Sequence, residues 1–180
     1  DPIEYDLPGV GQVQVNERAG LTLAGTLRSS LRQEPDIIMI GERRDFDSAH
    51  IGLQASRTGH LVFSTRHTND SVSAVTRLTD MGIGPYLVAG SLLGVVAQRL
   101  VRRVCPHCKE KFDTTGVVRK NGVKHAWRGR GCEECGGTGY RGRFGLYEQF
   151  DVTPEIQEAI ARGAPQHELR ELARKGGFSR

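Results

Sequence analysis

Two apolar runs of strand length, separated by a helical pattern, constrain the fold of this chain most. Residues 36–41 read DIIMIG and residues 60–65 read HLVFST, and residues 45–58 between them have helical spacing. A continuous apolar strand needs cover on both faces, as in a parallel sheet flanked by helices. The sequence therefore predicts an α/β fold with a parallel sheet whose strands are buried on both faces.

The whole chain divides into three predicted blocks, 1–104, 105–143 and 144–180, and the two apolar runs lie in the first. The first block also predicts a strand at 11–16, a helix at 22–33 with Thr22 as its N-cap, and helices at 70–81 and 85–96. The second block is rich in glycine and lacks apolar periodicity. The third predicts a short strand at 144–150 and two small helices, one after Thr153-Pro154 and one after Ala164-Pro165.

Composition narrows the class of protein. The chain has 180 residues, 37% hydrophobic and 26% charged, with a net charge of +4. These values fit a globular protein, and they do not by themselves indicate nucleic-acid binding. The chain begins at Asp1, so we expect its natural N-terminus to lie further upstream. No signal peptide or apolar run of about 18 residues is visible, so any membrane role is expected to be peripheral.

Four cysteines form two C-x-x-C pairs, Cys105/Cys108 and Cys132/Cys135, separated by 23 residues. Two residues between cysteines let both thiolates reach one tetrahedral ion, so the spacing predicts a closed, structural zinc site. Glycines after the second pair suit the tight turn of a zinc knuckle. Two disulfides are the alternative, and a redox-active pair is a second alternative, since C-x-x-C also occurs in redox motifs.

Polar residues follow the two apolar runs. Glu42 comes directly after the first run, and Thr65, His67, Thr68 and Asn69 end or follow the second. Ligands of parallel α/β sheets bind at the carboxyl ends of the strands. A carboxylate there can orient or deprotonate water, or hold Mg²⁺ through water, beside a phosphate chain. The alternative for Glu42 is a strand-end charge facing water. His60, at the opposite end, is expected to fix a turn or a subunit contact.

Together these motifs resemble the type II secretion ATPase E family, to which the type IV pilus assembly ATPases are closely related. The resemblance covers essentially the whole chain and is carried by DPIEYDLPGVGQVQVN, LRSSLRQEPDIIMIGERRD, TGHLVFSTRHTND, QRLVRRVCPHCK and GCEECGGTGYRGRFGLYE. It implies a RecA-like P-loop ATPase core, here with a partial parallel sheet, an inserted tetracysteine zinc module and C-terminal helices. It also implies a homo-hexamer that binds ATP and Mg²⁺ at subunit interfaces.

The resemblance also assigns roles to single residues. Glu42 matches the Walker B glutamate, and Glu4 matches a glutamate of the acidic "Asp box", with Asp1 beside it. His60 and His67 match the "His box". The four cysteines match the zinc module. Partners implied are an inner-membrane platform protein and a membrane-anchored cytoplasmic adaptor, with the motor in the cytoplasm on the inner face of the bacterial inner membrane.

The chain departs from the family pattern in two ways. It has no G-x-x-x-x-G-K-[ST] loop, so we expect these 180 residues alone to bind ATP weakly and to be inactive. Arginines also stand where the family has apolar residues, at Arg43, Arg57 and Arg66. Buried singly they would be costly, so an edge, a cleft or an interface is expected for them. Arg43 or Arg66 as an arginine finger is an alternative, and Arg44 is expected to pair with Asp45 or Asp47.

Three other functions remain open from the sequence. A pilus-extension ATPase would share every motif, although CPHCKEKFD and QVQVN favour secretion. A non-catalytic, zinc-stapled interaction domain is an alternative of another class. The basic residues of the zinc module, with Trp127 and Tyr140, could in principle contact nucleic acid, but acidic partners or anionic lipid are the favoured interpretation.

Overall fold

The computed structural model describes residues 3–42, 45–66, 68, 70–113 and 125–176. The chain divides into two compact units, one comprising Asp1–Ala97 and Glu148–Arg180 and the other comprising Gln98–Tyr147. In the described residues, no helix is both long and apolar enough to cross a membrane.

The first unit contains the predicted strand–helix–strand motif. Strand β1 (Ile37–Glu42) and strand β2 (Leu61–Thr65) pair in parallel, and helix α2 (Phe46–Arg57) connects them. Asp45 is the N-cap of α2, since its carboxylate accepts a hydrogen bond from the Ser48 amide at 2.7 Å. The prediction of a parallel sheet is therefore confirmed, with two strands in the part of the chain that the structure describes.

The burial predicted for both faces of this sheet is wrong. One face packs against α2 and against α1 (Leu23–Leu31), whose N-cap is the predicted Thr22. The other face is open, because Ile37 is 61% exposed and Met39 is 70% exposed. No described residue packs on that face. The apolar side chains of the run would need residues other than the described ones to bury them. The covered face holds a core of Leu27, Ile38, Ile40, Ile51 and Ala55.

Four more helices complete the first unit: α3 (Ser73–Asp80), α4 (Pro85–Ser91), α5 (Pro154–Ala161) and α6 (Gln166–Lys175). The expected N-cap of α5 is confirmed, because Thr153 Oγ1 accepts from the Ile156 amide and Pro154 is the first helical residue. These helices share a core with α2, centred on fully buried side chains that include Phe150, Ile83, Ile156, Ile160 and Leu169.

Two predicted elements differ in the structure. Residues 11–16 do not form a strand: only Asn16 makes an isolated bridge, to Leu21, and no described strand lies beside the rest. The helix predicted at 85–96 ends at Ser91, and strand β3 (Gly94–Val104) begins soon after. The β-branched residues from Val95 onward are accommodated by pairing with strand β6 (Tyr140–Asp151), which is longer than the predicted 144–150.

The second unit carries more regular structure than its composition indicated. Strand β4 (Lys109–Asp113) pairs antiparallel with strand β5 (His125–Gly129). A single 3-10 turn at Glu133–Cys135 follows β5, and Gly136 ends it with a left-handed backbone (φ 57°). These elements hold the two cysteine pairs.

Candidate metal centre and catalytic edge

The four cysteines converge on one point. Their sulfur atoms all lie within 4.8 Å of one another. Individual separations are 3.9 Å for Cys105–Cys132, 3.9 Å for Cys108–Cys135 and 3.7 Å for Cys132–Cys135. A tetrahedral ion bound to thiolates at about 2.3 Å requires sulfur atoms about 3.8 Å apart. The donor set therefore fits one closed tetrahedral metal site.

The disulfide alternative is wrong. All four cysteines are free, and their separations far exceed a disulfide bond of about 2.05 Å. Cys105 and Cys108 are buried, whereas Cys132 and Cys135 are half-buried. A site closed by four sulfurs leaves no position for a reacting water, so it is structural in type.

Backbone groups favour the thiolate of Cys135. Burial raises the pKa of this thiol, but hydrogen bonds from the amides of Cys132 and Gly139, each 3.2 Å from its sulfur, and from the side chains of Cys132 and Cys108 lower the pKa to about 6. Burial raises the pKa of Cys132 to about 11 and also raises that of Cys108. Binding of a cation would remove these protons, as metal thiolates require.

Glycines let the chain close tightly around the cysteines. The Cys105 amide donates to the carbonyl of Gly139 at 2.9 Å, and the Arg130 amide donates to that of Cys108 at 3.1 Å. A Cβ atom at Gly131 would meet the Gly137 carbonyl oxygen at 2.5 Å. Glycines are thus needed beside the metal site because the backbone segments there are too close together to leave room for side chains.

The β4–β5 hairpin places basic groups on aromatic rings. Lys109 Nζ lies 5.1 Å from the ring centre of Trp127, which is 54% exposed. Arg128 lies over Phe112 at 5.7 Å and also pairs with Glu110 at 2.8 Å. Outside the hairpin, Arg102 lies over the ring of Tyr140 at 4.1 Å. Both rings considered for stacking on nucleic-acid bases, Trp127 and Tyr140, therefore already have a cation of this chain over them, which weakens that role.

In the first unit, the parallel pairing of β1 and β2 brings their carboxyl ends together. Glu42, the last residue of β1, is the register partner of Thr65, the last residue of β2. The register shifts between Ile40 and Glu42, which inserts an irregularity before the glutamate. The chain therefore leaves both strands at one edge, here called the catalytic edge, where loops of α/β proteins bind ligands.

His60 lies at the opposite end of β2. Its Nδ1 is 3.0 Å from the carbonyl oxygen of Ala55 and 3.2 Å from Thr58 Oγ1. These contacts hold the turn between α2 and β2, as expected for a turn-fixing histidine. Its predicted roles in sensing the nucleotide and in a subunit contact stay predictions.

Other predicted site residues are not brought to the edge by the described structure. Glu4 is exposed in the N-terminal segment. A local hydrogen bond of this segment is the one that the side-chain amide of Gln12 donates to the carbonyl oxygen of Tyr5. Asp1, Arg43, Arg44 and His67 lie outside the described residues, as does the side chain of Glu42.

Two of the unusual arginines have described positions. Arg57 is exposed in the last turn of α2, where a cation interacts favourably with the helix dipole. Arg66 is half-buried directly after β2 and has a partner. Neither is a buried isolated charge, so neither incurs the cost that the sequence pattern suggested.

The structure also shows a contact that sequence reasoning missed. Ser71, fully buried, donates from its amide and its hydroxyl to one oxygen of Glu148, at 2.8 and 2.6 Å. Nearby, Arg170 pairs with Asp70 at 3.2 Å. A carboxylate within the mostly apolar stretch FGLYEQF was the available sequence signal for this contact.

Comparison with known proteins identifies relatives over the whole chain. The family model described as "Type II/IV secretion system protein" matches residues 1–180. The chain is 54% identical over 178 residues to the type II secretion system protein HxcR of Pseudomonas aeruginosa, covering 99% of this chain and 36% of that protein. It is 49% identical over 180 residues to the type II secretion system ATPase E of Vibrio cholerae, covering 97% of this chain and 36% of that protein.

A pilus protein is also similar. The type IV pilus assembly ATPase PilB of Thermus thermophilus is 49% identical over 186 residues, covering 99% of this chain and 21% of that protein. The chain thus spans about a third or less of the length of these relatives.

Solved structures confirm the fold class. The pilus retraction motor PilT with bound ADP superposes with a TM-score of 0.53 at 24% identity, covering 84% of this chain and 34% of that one. The Legionella pneumophila ATPase DotB superposes with a TM-score of 0.55 at 21% identity, covering 86% of this chain and 34% of that one. At these identities the likeness shows the fold, which is that of the secretion and pilus ATPases. With a family model that matches every residue, the chain belongs to the type II/IV secretion system protein family.

Proposed function

We propose that this chain is the C-terminal part of a cytoplasmic motor ATPase that powers type II protein secretion. The observation that carries the proposal is the parallel register of β1 and β2, which pairs Glu42 with Thr65 and so joins two polar segments at one sheet edge. In a chain of this family, that edge is the place for the β- and γ-phosphates of a nucleotide.

In this proposal Glu42 orients or deprotonates the attacking water and holds Mg²⁺ through water. Glu4 is the second catalytic carboxylate. Asp1, Arg44 and His67 contact or sense the nucleotide, and His60 senses it from the α2–β2 turn, at a subunit contact. What supports the ATPase activity is the family membership, together with relatives whose names include "ATPase". ATP and Mg²⁺ supply the phosphoryl group and the charge neutralisation that hydrolysis requires.

The phosphate-binding loop would come from residues that this sequence does not contain. Without its backbone amides and lysine, the 180 residues have no P-loop for the phosphates. We therefore expect them alone to bind ATP weakly and to lack turnover. The working protein in this proposal is a homo-hexamer of longer chains with ATP at subunit interfaces.

The metal of the cysteine site is proposed to be zinc. Four thiolates in a closed tetrahedral set are soft ligands that suit zinc, and the β4–β5 hairpin is too small to be stable without support. Cys105, Cys108, Cys132 and Cys135 would bind the ion. Its role would be to hold this unit folded.

The proposed partners are an inner-membrane platform protein and a membrane-anchored cytoplasmic adaptor, and the proposed location is the cytoplasmic face of the inner membrane. The basic hairpin is available for contact with anionic lipid. Secretion is favoured over pilus extension because HxcR, at 54% identity, and several other similar proteins are type II secretion proteins. PilB, at 49% identity, is as similar to this chain as the secretion ATPase E of Vibrio cholerae, so pilus extension is the second candidate.

Two experiments test this function. The full-length protein that the proposal implies should release phosphate from ATP, and Glu42→Gln should abolish release while ATP still binds. Absence of turnover in a folded, metal-loaded hexamer would instead favour the non-catalytic interaction domain. For the machine, expression in a strain lacking its secretion ATPase should restore export of secreted enzymes. Restoration of pili in a strain lacking its pilus assembly ATPase, without restoration of export in the first strain, would favour the pilus assignment.

A further inference from the structure

The carboxylate of Glu148 is placed to act on the segment that follows β2. Glu148 lies near the end of β6, two residues before the fully buried Phe150. Because side chains two apart share a face of a strand, Glu148 is on the core-facing side of β6. An ionised carboxylate in that position is costly unless hydrogen-bond donors satisfy it.

Ser71 supplies two such donors. Its amide and its hydroxyl both donate to Glu148 Oε1, at 2.8 and 2.6 Å, and its side chain is fully buried. Hydrogen bonds to a charged acceptor are about twice as strong as neutral ones, and burial strengthens them further. The contact joins residues 77 positions apart, so it is tertiary and not part of a local turn.

A second contact fixes the same stretch of chain. Arg170 of α6 pairs with Asp70 at 3.2 Å, and Asp70 Oδ1 accepts from the Ser73 amide at 2.9 Å at the start of α3. The Ser73 hydroxyl donates back to the Asp70 carbonyl at 2.8 Å. Residues 70–73 are therefore held from β6 and from α6 at once.

The contacts of Glu148 with Ser71 and of Arg170 with Asp70, here called the clamp, lie close in sequence to the catalytic edge. Ser71 is six residues after Thr65, which ends β2 opposite Glu42, and four residues after His67. The described chain is thus held at Thr65 by the pairing of β2 with β1, and at Asp70 and Ser71 by Arg170 and Glu148. A phosphate-transfer site needs the chain that carries its groups to be anchored in this way.

We propose that Glu148 is a positioning residue of the catalytic edge, acting through Ser71 on the polar segment between β2 and α3. The inference rests on the proposed ATPase function, and it adds a residue that lies far from the ATPase motifs in sequence. Glu148 does not touch the nucleotide in this account. It sets where the segment's groups stand relative to Glu42.

The test compares variants of the full-length hexamer. Glu148→Ala should lower kcat about tenfold or more with KM for ATP changed by less than about twofold, the signature of a lost transition-state interaction. Glu148→Gln, which keeps an acceptor oxygen but loses the charge, should fall between this variant and wild type. Ser71→Ala should have a smaller effect than Glu148→Ala, because its amide still donates.

Glu168→Gln is the matched control, since it removes another carboxylate of the same unit, the half-buried partner of the exposed Arg162. This control should retain kcat within about twofold, as expected for an ion pair at the protein surface. Amide hydrogen exchange should rise at residues 70–73 in Glu148→Ala and not in the control. The double variant Ser71→Ala/Glu148→Ala should be no worse than Glu148→Ala alone, because the two side chains act as one unit.

Unchanged kcat in Glu148→Ala, with wild-type turnover present, would overturn the positioning role and leave the ATPase function intact. Equal losses of kcat in Glu148→Ala and Glu168→Gln would overturn it too, since a general loss of stability would then explain both. Absence of turnover in the folded wild-type hexamer would sink the ATPase function and this inference with it.

Discussion

The backbones of Gly129 and Gly139 are in direct contact. A Cβ atom added at Gly129 would lie 2.0 Å from the Gly139 carbonyl oxygen, and a Cβ atom added at Gly139 would lie 2.5 Å from the Gly129 carbonyl oxygen. The same Gly139 donates its amide to Cys135 and accepts from the amide of Cys105. The end of β5 and the segment before β6 can approach so closely only because neither residue has a side chain. The cysteine site depends on that approach.

Gly139→Ala is therefore expected to disrupt the cysteine site. Gly142→Ala is its matched control, because Gly142 has nearly the same backbone angle (φ 76° against 75°) but nothing within 4 Å of an added Cβ. Urea unfolding should show a loss of about 1–2 kcal/mol in the control from the left-handed backbone alone. Gly139→Ala should lose at least about 1–3 kcal/mol more through overpacking. Equal losses would show that the contact is not tight.

Removal of the metal should unfold the second unit. Metal analysis of the purified chain should give about one zinc ion per chain, since the four sulfurs form a single site. A strong chelator should then remove the exchange protection of β4 and β5 while α5 and α6 stay protected. A metal-free chain with both hairpin strands intact would contradict a structural role for the ion.

Metal affinity should weaken as the pH falls. Burial raises the pKa of Cys132 to about 11 and also raises that of Cys108, so both thiols hold protons at neutral pH and must lose them to bind an ion. Competition therefore favours the proton at low pH, and affinity should fall about tenfold or more for each pH unit between 8 and 6. Titration with Co²⁺ and a competing chelator measures this, and a constant affinity would contradict it.

Ile40 and Met39 are neighbours on β1 that face opposite sides of the sheet. Ile40 is 2% exposed and Met39 is 70% exposed in this chain. Ile40→Ala should lower the free energy of unfolding of the 180 residues by about 2–5 kcal/mol, and Met39→Ala should change it by less than about 0.5 kcal/mol. Chemical denaturation of both variants checks the prediction, and comparable losses would show that both faces of the strand are buried.

The same strand shows where sequence reasoning succeeded and where it failed. The run DIIMIG identified β1, and the helix between the runs fixed the parallel pairing with β2, because such a crossover rarely gives anything else. The apolar periodicity predicted burial for Ile37 and Met39, but it could not show which residues would bury them. The described residues do not. An apolar run indicates that the side chains of a strand are to be buried, but it does not identify the residues that bury them.

The metal site was predictable because its signal is local. Cysteine spacing within each pair is set by the geometry of one ion, and the structure brings all four sulfurs together. The clamp of Ser71 by Glu148 was not predictable in this way, since its two residues are 77 positions apart and no short pattern connects them. The strand 94–104, whose first three residues were assigned to the helix predicted at 85–96, was missed for a related reason: it is stabilised by pairing with β6, which lies far along the chain.

The proposed site of ATP hydrolysis is the shared carboxyl edge of β1 and β2. Glu42 is the last residue of β1, and Asp36 is exposed directly before the first residue of β1, at the end away from that edge. Steady-state phosphate release by the full-length hexamer should fall by about a hundredfold or more in Glu42→Gln, as when a catalytic group is removed, and stay within about twofold of wild type in Asp36→Asn. Turnover that survives Glu42→Gln, or that falls equally in both variants, would contradict the account.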